Sequence, residues 1–226
     1  MTEARVLSFD LDDTLWPIAP VILAAEAAMW QWLQSQHPEA MRAHSIETVR
    51  AIRARVSAEF PERAHDMTFL RHRAIMALFA NEARAREYAD AAFEVFFAAR
   101  NQVTLYPEVH GVLKSLRARF RLYALSNGNA DLKRCGLAEF FEGHVSAISA
   151  GAAKPDARIF AHLARSAGVS AGEVLHVGDD PYTDVHGARQ AGMQALWLNR
   201  DDKLWPEEFG APPRTVKTLS EILAHQ

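Results

Sequence analysis

The sequence predicts an α/β fold, a Rossmann-like parallel sheet with an all-helical domain inserted after its first strand. Three observations carry that reading. Residues 5–11, RVLSFDL, make a short apolar run that ends in acids, the pattern of a parallel strand buried on both faces. From Pro17 to about Thr104 glycine vanishes, alanine and arginine abound, and apolar residues recur at helical spacing. From Tyr106-Pro107 onward strand and helix signals alternate, which calls for a parallel sheet covered by helices on both faces.

Each element follows from local chemistry. The inserted stretch predicts helices over residues 20–36, 45–60, 66–80 and 82–100, with His37-Pro38 and Phe60-Pro61 punctuating the first two. Beyond it the expected order opens with a helix over 108–119, a strand over 121–126, a helix around 131–137 and a strand over 144–148. It continues with a helix from Asp156 to Gly168, a strand over 173–177, a helix over 183–191, a strand over 194–198 and a short helix near 219–225. Residues 1–16 and 105–226 form the expected catalytic core and 17–104 the inserted cap domain. Trp16-Pro17 and the stretch 102–107 are the expected hinges between them.

Composition narrows the function. At 226 residues and 49% hydrophobic, the chain suits a soluble globular protein of one large or two small domains. Its net charge of −3 leaves no basic excess to drive binding to nucleic acid or an anionic membrane. The single cysteine, Cys135, makes no internal disulfide and no zinc cluster, and fits a reducing cytoplasm. The N-terminus lacks the apolar core and small-residue cleavage site of a signal peptide. The longest apolar stretch, VILAAEAAMWQWL, is broken by Glu26 and too short to span a bilayer. The expected partner is therefore a small molecule, with neither nucleic acid nor membrane involved.

The polar residues fall where such a sheet binds ligands, beyond the carboxyl ends of its strands. The first strand runs into Asp10, Leu11, Asp12, Asp13 and Thr14. The strand after the insertion ends in Ser126, Asn127 and Gly128, and the EVLHV strand in Gly178, Asp179 and Asp180, with Asp184 following. Lys154-Pro155 sits in the intervening loop. Like charges this dense need a cation. Asp10 and Asp12 are two apart, so on an extended backbone they point the same way. One carboxylate can attack while its neighbour handles protons. A hard divalent cation, Mg²⁺, would relieve repulsion from an anionic substrate, with Asp179 as a further ligand. Ser126 can donate its hydroxyl to a phosphate, backbone N–H groups near Asn127 and Gly128 can do likewise, and Lys154 adds a compact positive charge.

The motifs FDLDDT, LSNG, KP and GDDPYTD, in that order, resemble those of the haloacid dehalogenase-like hydrolase superfamily. Helices inserted after the first motif are similar to its helical-cap subfamily. The resemblance implies that Asp10 is the nucleophile of an aspartyl-phosphate route. It implies that Asp12 is the general acid and then the base, and that the Asp10 carboxylate, the Asp12 carbonyl and Asp179 hold Mg²⁺. Ser126, Asn127 and Lys154 would bind the phosphoryl group, and Asp180 and Asp184 would orient Lys154 or metal-bound waters. Asp184 fits equally well as a helix N-terminal acid. Asp13 reads as a turn residue, Thr14 as a local hydrogen-bonder, His176 as a satisfied core histidine and Cys135 as a structural residue on a helix.

Three chemistries share this nucleophile. A dehalogenase expels halide, which needs no proton, so Asp12 favours phosphoester cleavage. A phosphonate-cleaving relative relies on a cap lysine, and the insertion has ten arginines and no lysine. Phosphatase is the expected activity, with a phosphomutase, a 2-haloacid dehalogenase and a non-catalytic phosphoryl-binding protein as alternatives. The stretches FDLDDTLW, LSNGNA, LHVGDDPYTDV, AGMQALW and HDMTFLRHR are most similar to bacterial phosphatases acting on flavin mononucleotide and 5-amino-6-(5-phospho-D-ribitylamino)uracil. Phosphoglycolate, sugar phosphates and nucleotides are the other substrates in view. Arg71, His72 and Arg73 fit either substrate contact or a solvated helix face, and Phe93, Phe96 and Phe97 read as cap core.

Overall fold

The computed structural model describes residues 3–79 and 83–223. The expected helix boundaries at Ala80 and Glu82 and the tail end at His225 lie outside them. The chain divides into two compact units, one of Met1–Pro17 with Thr104–Gln226 and one of Ile18–Val103.

The second unit is helical. Its elements are α1 (Ile18–Gln36), α2 (Pro38–Met41), α3 (Ile46–Glu59), α4 (Met67–Met76) and α5 (Ala85–Arg100). Val21, Ala25, Met29 and Leu33 recur every four residues along α1 and are buried, so one stripe of the helix carries the apolar load. That stripe meets Ala89, Ala92 and Phe96 of α5 in a common core. Ser45 and Asp66 begin α3 and α4 by accepting the backbone N–H groups of Thr48 and Phe69, which the first turn leaves unpaired. The helix expected to reach residue 80 stops at Met76 and tightens into a 3₁₀ turn, Ala77–Phe79.

The first unit is built on β1 (Val6–Phe9), β2 (Arg121–Ser126), β3 (Gly143–Ser146), β4 (Val174–Gly178), β5 (Gln194–Leu198) and β6 (Arg214–Val216). They form one parallel sheet in the order β3-β2-β1-β4-β5-β6. Its helices are α6 (Val109–Arg117), α7 (Ala147–Ala150), α8 (Ala157–Ala167), α9 (Gly187–Gln190) and α10 (Ser220–Leu223). Alternate strand residues, Val6, Tyr123, Leu125, Val145 and Val174, pack with Ile159, Phe160 and Leu163 of α8. On α6, Val109, Val112, Leu113 and Leu116 are buried at helical spacing. No helix among the described residues is long and apolar enough to cross a membrane.

Three expectations need correction. Residues 131–137 are turns, not a helix: Asp131 Oδ1 accepts the Lys133 and Arg134 amides, and Gly136 at φ +73° ends the segment after one turn. Cys135 therefore sits in a turn. The strand expected over 144–148 gives way at Ser146, whose side chain caps α7 in a reciprocal pair with Ser149. Strand β6 was not expected, being three residues long on the edge of the sheet.

Phe160 is fully buried and lies edge-on to His176, ring centroids 5.7 Å apart. Phe160→Ala should lower stability by about 3–5 kcal/mol, read as a shift of the urea unfolding midpoint.

Candidate active site

The strand order reverses direction between β1 and β4, and their carboxyl ends deliver Asp10 and Asp179 side by side. Phe9 is level with Val177, and the Asp10 amide donates to the Val177 carbonyl at 2.9 Å. Such a reversal opens a crevice at the strand ends. Asp10 is buried there.

Lys154 binds the site together. Its Nζ donates to Asp10 Oδ1 and Asp184 Oδ1, both at 2.5 Å. Its side chain is 2% exposed, against 10% for Asp10 and 2% for Asp184. The lysine backbone is clamped in turn: its N–H donates to Asn127 Oδ1 at 2.6 Å and its carbonyl accepts from Asn127 Nδ2 at 3.0 Å. The Asn127 side chain is thus committed to Lys154, whereas the phosphate contact expected near Asn127 was through backbone N–H groups. The Gly128 amide is committed too, to Ser126 Oγ at 2.9 Å. Because that oxygen accepts, the buried Ser126 hydroxyl keeps its proton for another acceptor.

Asp184 belongs to the acid cluster itself, closer in than expected. Among the described residues Asp10, Asp179 and Asp184 can bring carboxylate oxygens within 4.8 Å of one another. The cause is local. Pro181–His186 is wound as a π-helical turn, with Val185 N–H reaching back to the Asp180 carbonyl at 3.3 Å. This swings Asp184 over Gly178, where an added Cβ would lie 2.2 Å from Asp184 Cγ. Only glycine leaves room for the carboxylate. Asp180 instead caps the turn, its Oδ1 accepting the Tyr182 and Thr183 amides, while its own amide donates to Asp184 Oδ2.

His176 is buried as expected, with both ring nitrogens engaged. Nε2 lies 3.1 Å from Asp184 Oδ1 and Nδ1 2.6 Å from Ser8 Oγ. Burial lowers the imidazole pKa, so the ring is neutral and carries one proton. An ionised carboxylate only accepts, so Nε2–H donates to Asp184 and the Ser8 hydroxyl donates to Nδ1. The sequence signal was present: Ser8 and His176 are polar, on apolar strands, and in register.

Asp12 is placed differently from Asp10. Its Oδ1 accepts the indole N–H of fully buried Trp16 at 2.9 Å. The link closes a tight turn in which the Asp13 amide donates to the Trp16 carbonyl and Asp13 takes φ +60°. That left-handed conformation is tolerable for aspartate. Thr14 is not a local hydrogen-bonder: its hydroxyl donates to Asp179 Oδ1 at 3.4 Å. Lys203 Nζ lies 3.4 Å from the other oxygen of Asp179. Arg200 donates to the Thr14 carbonyl, pairs with Glu108 at 2.7 Å and lies over the Tyr106 ring. Trp16, Arg200 and Lys203 had no signal in the sequence, since nothing in their spacing ties them to the acids.

The electrostatics ask for one more cation. Burial raises the pKa of Asp10, Lys154 only partly offsets it, and the charges of Asp184 and Asp12 push the same way. Burial also opposes ionisation of Asp184, but Lys154 and His176 outweigh it and hold that pKa down. Burial, then the nearby Asp184, push Asp179 up to about 6. Asp10 and Asp184 share one buried ammonium, and the carboxylate of Asp179 has its partners among the described residues at 3.4 Å, Thr14 and Lys203. An all-oxygen set of this kind fits a hard divalent cation.

A family model for haloacid dehalogenase-like hydrolases matches residues 4–192. The 5-amino-6-(5-phospho-D-ribitylamino)uracil phosphatase YigB of Escherichia coli strain K12 is 38% identical over 202 residues, covering 87% of this chain and 84% of that one. A phosphoserine phosphatase of Thermus thermophilus is 40% identical over 136 residues, 58% of this chain and 52% of that one. The crystal structure of a 2-haloacid dehalogenase from Pseudomonas syringae pv. tomato superposes with a TM-score of 0.92 at 38% identity, covering 98% of this chain and 97% of that one. With its strand order, its strand-end acids and this match over most of its length, the chain belongs to the haloacid dehalogenase-like hydrolase family.

Proposed function

We propose that this protein is a Mg²⁺-dependent phosphatase that hydrolyses a small-molecule phosphate monoester through an aspartyl-phosphate on Asp10. The observation that carries the reading is the buried Asp10–Lys154–Asp184 unit beside Asp179 at the reversal of strand order. Asp10, Asp179 and the Asp12 carbonyl would hold the cation, with Asp184 beside them, and once bound it would offset repulsion between the acids and an anionic substrate.

The residues divide the work. The Ser126 hydroxyl and the Lys154 ammonium hold the phosphoryl oxygens, which is mostly positioning and charge stabilisation. An Asp10 oxygen bonds to phosphorus as the bond from phosphorus to the ester oxygen breaks. Asp12 gives its proton to that oxygen and the alcohol leaves. Water then bonds to phosphorus, Asp12 takes its proton, and the Asp10–phosphorus bond breaks to release inorganic phosphate. The Trp16 indole fixes the Asp12 side chain in the position from which it hands its proton to the ester oxygen. A halide would leave without a proton, so a proton-handling acid held in place favours the phosphatase over the dehalogenase. Similarity to the Escherichia coli enzyme over most of the chain supports 5-amino-6-(5-phospho-D-ribitylamino)uracil as substrate; flavin mononucleotide as a second substrate and a cytoplasmic role in riboflavin metabolism belong to the same proposal and rest on the resemblance of the motifs.

A panel of phosphate esters tests this reading. Ribityl phosphates should release phosphate fastest, and Asp10→Asn should slow release at least about 10³-fold. Preference for sugar phosphates or nucleotides would reject the substrate, and no release above the Asp10→Asn control would reject the reaction.

The raised pKa of Asp179 fixes the pH behaviour of metal binding. The metal-free fold loses stability as pH rises from the ordinary carboxylate range, about 4, to about 6, where Asp179 is ionised in the unfolded chain but resists ionising in the fold, and above that a bound cation offsets the cost. Mg²⁺ should therefore raise the melting temperature more at pH 7.5 than at pH 5. By calorimetry its affinity should fall about tenfold per unit below pH 6.

Trp16→Phe keeps the ring and removes the donor. It should slow alkyl phosphates about tenfold more than an aryl phosphate, whose leaving group needs little protonation. Equal slowing of both in steady-state assays would mean that the indole N–H does not serve proton transfer from Asp12 to the leaving group.

A further inference from the structure

The helical unit carries a half-open cavity to which the proposed reaction assigns no role. It measures about 310 Å³ and is lined by residues of α1, α3 and α4 together with Leu78. Leu33, Ala74, Ile75 and Leu78 give it a buried apolar wall, and Leu23, 68% exposed, lies at its edge. A space of this size and lining is within the range of small-molecule sites.

Its polar wall is unbalanced. Glu26 Oε1 accepts from Arg53 Nη1 at 2.5 Å and from Arg71 Nη1 at 3.2 Å. Two guanidinium groups thus share one carboxylate oxygen, and Arg50 lines the same cavity. Arg71 is 9% exposed, and its remaining face lies over the Phe96 ring, 3.7 Å from the centroid. Burial and the neighbouring Arg53 lower the Arg71 pKa to about 10, which still leaves it charged at neutral pH. Arg53 and Arg71 also line a second cavity of about 190 Å³ with Ser57, Ala64, Met67 and Leu70. The two cations therefore border open space on both sides. A surplus positive charge at the end of an apolar chamber suits a ligand with one negative charge and an apolar body.

We propose that this cavity binds a monocarboxylate with an unbranched apolar tail, the carboxylate on Arg53 and Arg50 and the tail among Leu33, Ile75 and Leu78. A planar guanidinium matches a carboxylate with two parallel hydrogen bonds, and a single negative charge offsets half of the surplus that Glu26 leaves on Arg50, Arg53 and Arg71. A cationic amphiphile would be repelled, and a neutral one would gain only the burial of its tail.

Calorimetric titration of the full chain with octanoate, octanol and octylamine tests the assignment. Octanoate should bind about tenfold tighter than octanol, and octylamine should give no heat. Arg53→Gln, at a half-exposed position, should bring octanoate down to the level of octanol. Ala27→Phe, at an exposed position lining the cavity, should remove octanoate binding while leaving the urea midpoint unchanged. The proposal fails if octanoate gives no heat, if octanol or octylamine matches it, or if folded Arg53→Gln and Ala27→Phe proteins bind it as the native chain does.

Discussion

The catalytic edge depends on one buried ammonium between two carboxylates. Lys154 comes from a loop 144 positions from Asp10 and 30 from Asp184, yet its Nζ lies 2.5 Å from each. Removing one member of such a unit leaves uncompensated charge in a site that excludes water, at a cost of about 3–5 kcal/mol. The surrounding contacts serve to hold this arrangement. Asn127 fixes the lysine backbone through both of its amide atoms. His176, itself fixed by Ser8, holds Asp184. Gly178 supplies the space into which Asp184 folds.

The same unit explains why an extra cation belongs there. One ammonium cannot neutralise Asp10, Asp179 and Asp184 together, and burial raises the pKa of both Asp10 and Asp179. Without a further positive charge Asp10, the proposed nucleophile, and Asp179 are pushed toward their neutral forms, which attack poorly and bind metal poorly. Lys203 offers Asp179 a partial substitute at 3.4 Å from a half-exposed side chain. It is too distant and too well solvated to replace an ion coordinated directly.

Much of this was legible because parallel strands buried on both faces write themselves as unbroken apolar runs. The acids directly after such runs must then lie at one edge of the sheet, so Asp10 and Asp179 could be placed together from 169 positions apart. Asp184 was expected to orient Lys154 or metal-bound waters or to sit as a helix N-terminal acid, and its contact with Lys154 agrees with the first, but its place inside the acid cluster was not legible. Its position depends on a π-helical turn and on the missing side chain of Gly178, and neither leaves a periodicity. Residues 131–137 misled for a related reason: their composition suits a helix, but Asp131 caps a turn that Gly136 ends at once. Trp16 and Lys203 were invisible because an indole N–H or an ammonium gains its meaning only from the partner that folding brings.

Overall likeness does not choose between a phosphatase and a dehalogenase, since chains named for each match this one at similar identity. The two reactions share attack by a carboxylate and differ at the leaving atom. Halide departs as a stable anion, whereas an alkoxide needs a proton as its bond breaks. The informative residue is therefore the acid beside the nucleophile, and whether the fold takes trouble over it. Here Asp12 is tied to a fully buried indole through a turn that places Asp13 in the left-handed region. Aspartate tolerates that conformation, and the Asp13 amide, donating to the Trp16 carbonyl, holds the turn closed. An acid held in this way beside the proposed nucleophile serves a leaving group that needs a proton and adds nothing to the departure of a halide.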